Sequence, residues 1–100
     1  MTRKKFTNDT FEQAFIYMKC SRKTASKKLQ IEIDDDTNGM CTMMDDGTVV
    51  IWTEESTGDD VLVHEVVHAM HFTLDRAGVK QLDTEVCAYL TQAIWRQCKC

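Results

Sequence analysis

One hundred residues, 43% of them hydrophobic, make one domain's worth of chain with a single modest core. No run approaches the roughly 20 apolar residues that span a bilayer, so no membrane partner is expected. The opening MTRKKFTNDTFEQ has no apolar run behind its basic residues; no secretory leader is expected, and the cytoplasm (a host cytoplasm, if the chain is viral) is the expected compartment.

The net charge of −4 is unevenly placed. Residues 1–30 carry eight Lys/Arg against two Asp/Glu, residues 31–60 carry ten acids and no Lys/Arg, and residues 61–100 carry four of each. The two blocks could pair across the fold, or the basic one could meet an acidic partner or nucleic acid. Its charges are not interleaved with aromatic residues, which favours a solvated face over a nucleic-acid surface. Five cysteines at irregular spacing read as free buried thiols, with Cys98-x-Cys100 on a mobile tail as a weak metal signal.

In chain order, residues 8–19 read as an amphipathic helix. Asn8 or Asp9 would cap it, and Phe11, Ala14, Phe15 and Met18 recur at helical spacing. Residues 21–28 form a short helix or a loop. Residues 29–33 (LQIEI) alternate as a strand, and DDDTNG makes a turn. Residues 40–44 and 48–52 flank Asp45-Asp46-Gly47 as a hairpin, completing a three-stranded antiparallel sheet. The acids of this third sit in turns. DDDTNG lacks the twelfth-position ligand of a calcium loop.

Residues 60–77 give the strongest helical pattern. Asp59 or Asp60 caps the start and Gly78 closes the end. Leu62, Val63, Val66, Val67, Met70, Thr73, Leu74 and Ala77 form an apolar arc, opposite a polar stripe of His64, His68, His71 and Asp75. A second helix covers residues 84–97, capped by Asp83, with Val86, Leu90, Ala93 and Ile94 inward.

The chemistry lies in His64-Glu65-Val66-Val67-His68. Positions i and i+4 of a helix stand one turn apart on one face, so two imidazoles can both reach one Zn²⁺ ion at about 2.0–2.1 Å. Glu65, offset by one residue, can handle the attacking water without ligating the metal. A catalytic zinc needs a third protein ligand. His71 lies about 10 Å along the axis from His64. Glu85 is the better choice: an extended stretch over residues 79–84 can return about 20 Å, enough to undo the rise past the site. An exposed acid favoured by the helix dipole is the other reading of Glu85.

A strand, a helix with HEVVH and a second helix bearing a glutamate resemble the zincin metallopeptidases with a glutamate third ligand. The stretch VLVHEVVHAMHFTLDRAGVK...DTEVCAYLTQAIW is similar to small phage-encoded proteins of metallopeptidase type, over about residues 48–97. The resemblance implies a minimal zincin-like α+β fold, with an edge strand along a substrate groove. It implies zinc held by His64, His68 and Glu85, with Glu65 as the base acting on a peptide or protein substrate. Many of these proteins carry an acid four residues after the ligand glutamate; here that place is Tyr89.

The expected architecture is therefore an N-terminal helical segment, a three-stranded antiparallel sheet, and two helices carrying the metal site in residues 1–100. The expected activity is zinc-assisted amide hydrolysis, with Tyr89 or His71 donating to the oxyanion. Three alternatives stay open: a structural zinc closed by a residue such as Cys87, a virus-encoded regulator acting through the basic block, and a hydrolase for a non-peptide substrate.

Overall fold

In the computed structural model, which describes residues 1–79 and 83–100, seven elements follow one another. They are β1 (Thr2–Asn8), β2 (Gln13–Cys20), α1 (Arg22–Leu29), β3 (Gly39–Met43), β4 (Val49–Glu54), α2 (Asp59–Arg76) and α3 (Thr84–Lys99). The strands form one mixed sheet in the order β1-β2-β4-β3. β1 pairs antiparallel with β2, β2 parallel with β4, and β3 antiparallel with β4. The class is α+β, but the expected N-terminal helix and three-stranded antiparallel sheet do not form.

The physical reason lies in β2. Phe15 and Tyr17 face α2 and α3, whereas Met18 and Cys20 face α1, so both sides of the strand are buried. A strand buried on both faces loses its alternation and cannot be told from a buried helix by periodicity. Asn8 caps no helix: its Oδ1 accepts the Phe11 N–H at 3.1 Å within the β1–β2 turn, where Glu12 adopts φ 51°. Phe6 of β1 stacks on Phe15 with ring centroids 5.0 Å apart.

LQIEI is not a strand either. α1 runs through Leu29, and Gln30 takes the left-handed conformation (φ 57°) that ends it. Ser21 caps the start, accepting the Thr24 N–H at 3.1 Å. The β3–β4 hairpin does form, with Gly47 at φ +89° and Asp46 Oδ1 accepting the Thr48 N–H.

Two cores result. Val49 and Ile51 join Phe15 and Tyr17 beneath α2 and α3, while Val50 and Trp52 join Met18 and Cys20 beneath Ala25 of α1. The fully buried Trp52 donates its indole N–H to the Cys20 carbonyl at 3.1 Å, so its one polar atom is paired. Cys98 lies buried within α3 rather than on a mobile tail; only Cys100 follows that helix, and it is exposed.

Lys99 at the end of α3 bonds Asp59 at the start of α2 at 2.9 Å, so the two helices pack antiparallel. It is the one ion pair among the described residues, so the basic and acidic blocks do not pair with each other there. Arg22 instead donates to the Thr37 carbonyl and Asn38 Oδ1. No helix among the described residues is long and apolar enough to cross a membrane.

Candidate metal centre

The HEVVH segment lies in α2. Gly58, not an aspartate, occupies the N-cap, and Asp59 and Asp60 stand in the first turn, where the helix dipole favours them. Gly78 at φ +79° closes the other end, with the Val79 N–H donating to the Leu74 carbonyl at 3.0 Å. The buried face comprises Leu62, Glu65, Val66, Ala69, Met70, Thr73 and Leu74. Val63 and Val67 of the expected apolar arc are instead exposed, at 47% and 37%.

His64 and His68 stand exposed one turn apart, with their Nε2 atoms 3.2 Å apart and rings inclined at 74°. Two bonds of about 2.05 Å from one ion would close on that separation with an angle of about 100°, near the tetrahedral value zinc adopts. The separation equally suits a hydrogen bond from one neutral imidazole to the other, depending on tautomer. The donor set is thus two imidazoles already converged at chelating distance.

Glu65 turns inward and is 6% exposed. Burial pushes its carboxyl pKa up, against the opposing pull of His64 and His68. Such a shift moves a carboxylate towards the range of a useful general base. Neither carboxylate oxygen is sealed from solvent without a partner.

A second element closes on this carboxylate. A Cβ added to Gly39, the first residue of β3, would stand 2.8 Å from Val61 Cγ1 and 2.9 Å from Glu65 Oε2. β3 is an edge strand, so its backbone passes directly beside the HEVVH helix because Gly39 has no side chain. Cys41, two residues on, packs against the same core, and its thiol is pushed up to about 12, by burial first and then by Glu65 and Cys98. Neither residue is singled out by the sequence, because both act through the approach of β3 to α2. The only sequence signal is the Asn38-Gly39 pair, which reads as a turn.

Among the described residues, no three His, Cys, Asp or Glu side chains come together as a metal-holding group. Glu85 is exposed in the first turn of α3, and its N–H donates to Asp83 Oδ1 at 2.8 Å. Counting the helical rise from the Lys99–Asp59 contact puts Glu85 about 8 Å beyond His68 along the paired helices. Part of the extended return expected over residues 79–84 lies outside the described residues.

His71 and Asp75 are exposed on the same stripe as the histidine pair, without an ion pair between them among the described residues. With His68, Phe72 and Val79 they line a groove of about 610 Å³. Tyr89 is 62% exposed and faces elsewhere, lining a cavity against Asp9 and Thr10 of the β1–β2 turn. Cys87 is half-buried and packs on the main core.

No family model, curated protein or solved structure matches this chain.

Proposed function

We propose that this protein is a zinc-dependent metallopeptidase of the HExxH type. One observation carries the reading: two imidazole Nε2 atoms 3.2 Å apart on α2, with a buried carboxylate between them in sequence that meets an edge strand at Gly39. A solvated helix face has no need of a glutamate turned inward, where burial disfavours its charged form.

In this reading His64 and His68 hold the ion, and Glu85, about 8 Å beyond His68 along the paired helices, is the proposed third ligand. Zinc, when bound, supplies Lewis acidity towards the scissile carbonyl and its attacking water. Glu65 accepts the proton of that water and delivers it to the leaving amine. An extended peptide would add to the free edge of β3, which carries it past Glu65. The groove beside His68 would take a substrate side chain, with Phe72 and Val79 as apolar wall and Asp75 at its rim. His71, on that groove, is the nearer of the two proposed oxyanion donors, since Tyr89 lines a different cavity.

The test is turnover of a quenched-fluorescence peptide library by zinc-loaded protein, wild type against Glu65→Gln. The amide keeps the size of the side chain but accepts no proton, so turnover should fall by about 100-fold or more while zinc stays bound. Equal turnover by the variant removes Glu65 from the chemistry.

A further inference from the structure

On the far side of α2 from β3, a second polar cavity of about 170 Å³ opens between the sheet and the ends of the two long helices. Its wall includes Lys4, Lys19, Lys99, Tyr17, Thr53 and Asp59. A water's share of liquid volume is about 30 Å³, so the space is that of about five or six waters. It lies where the parallel strands β2 and β4 end and α2 begins.

Three features of this cavity point the same way. Lys4 Nζ donates to the Cys98 carbonyl at 3.0 Å and Lys19 Nζ to the Thr57 carbonyl at 3.2 Å, both neutral acceptors. Each ammonium has three donors, so two per lysine remain. Neither lysine makes an ion pair among the described residues, though Lys19 lies near enough to Glu54 to lower its carboxyl pKa, and Asp59 is already engaged by Lys99. The second feature is buried. Tyr17 and Thr53, 4% and 2% exposed, share one hydrogen bond at 3.2 Å. Two hydroxyls carry two hydrogens, and a single mutual bond uses one, so one buried donor is left over in a cavity that both side chains line. A tyrosine phenol is protonated at neutral pH, and burial pushes the Tyr17 pKa further up. Third, no side chain caps α2 at Gly58, so its first-turn N–H groups have no side-chain acceptor, although the carboxylates of Asp59 and Asp60 stand in the same turn.

We propose that this cavity is a binding site for a small tetrahedral oxyanion, phosphate or a phosphomonoester, held by Lys4 and Lys19 with the spare hydroxyl donor of the Tyr17–Thr53 pair. The site is distinct from the His64–His68 pair and does not depend on the metallopeptidase reading.

Titration of inorganic phosphate into ¹⁵N-labelled protein at constant ionic strength tests it, read at the amides of Gly58, Asp59 and Asp60. Saturable shifts with a dissociation constant of about 1 mM or below are expected. Acetate, a planar monoanion, should bind about tenfold more weakly. Lys19→Met should weaken phosphate binding by about tenfold, and Lys5→Met, on the opposite face of β1, should not. Should Lys19→Met fail to fold, Tyr17→Phe with Thr53→Val serves instead. Removing both partners of a buried hydrogen bond is close to neutral for stability, yet it deletes the spare donor and should weaken phosphate by about fivefold. The same titration of His64→Ala/His68→Ala separates this site from phosphate on a bound metal, and the shifts should persist. No saturation by about 20 mM, equal binding of acetate, indifference to both sets of variants, or loss of the shifts in the histidine variant would each overturn the proposal.

Discussion

Replacing Gly39 with alanine tests whether β3 is pressed against the HEVVH helix. Gly39 does not have positive φ; only Gly47 and Gly78 do among the described glycines, so the demand at this position is for space. The added methyl would meet Val61 Cγ1 at 2.8 Å and Glu65 Cγ at 3.1 Å. Val61 is β-branched and stiff at χ1, so it cannot swing aside cheaply. Overpacking of this kind costs about 1–3 kcal/mol, offset by about 0.4–1 kcal/mol from the restricted unfolded chain. The net destabilisation should be about 1–2 kcal/mol. In a domain of this size that lowers Tm by about 4–8 °C per kcal/mol. Equilibrium urea unfolding should show a lower midpoint at unchanged slope. Val61→Ala in the same chain should recover part of the loss, because the two side chains share one contact. A Gly39→Ala protein as stable as wild type would show that β3 does not press on α2, and the described site geometry would fail with it.

Two further outcomes follow from the fold. Burial raises the thiols of Cys20, Cys41 and Cys98, the latter two to about 12, so in native protein at pH 8 a disulfide reagent should label exposed Cys100 first and these three only on unfolding. Immediate labelling of all five would contradict the packing of β3 and α3. Deleting residues 1–6, harmless if a helix cap followed them, instead removes most of β1 and the Phe6–Phe15 stack and bares an edge of β2. Loss of about 3 kcal/mol or more, or aggregation on size exclusion, is expected. A deletion variant melting with wild type would refute the assigned sheet order.

What was legible in the sequence were the elements whose signals are local. Asp45-Asp46-Gly47 marks the hairpin through its turn chemistry, Gly78 marks the end of α2, and Asp83 caps α3 by accepting from Glu85 and Val86. The helical expectation for the first third fails because Phe11, Ala14, Phe15 and Met18 match a helical wheel by coincidence. β2 is buried on both faces, whereas β1 offers mainly Phe6 and the stem of Lys4 to the core. The histidine pair was visible because one turn of one helix creates it. The inward turn of Glu65, the clearance at Gly39 and the side on which Tyr89 stands were not, because each depends on what packs against the helix rather than on the helix itself.

Zinc binding by tag-free protein, followed by elemental analysis and calorimetric titration, tests the proposed metal centre most directly. About one zinc per chain is expected in wild type, lost in His64→Ala and His68→Ala, severely weakened in Glu85→Ala and nearly unchanged in His71→Ala. Wild-type protein that carries no zinc and takes none up, or zinc retained in full by the His64→Ala and His68→Ala variants, would contradict the assignment of α2 as a metal-binding helix.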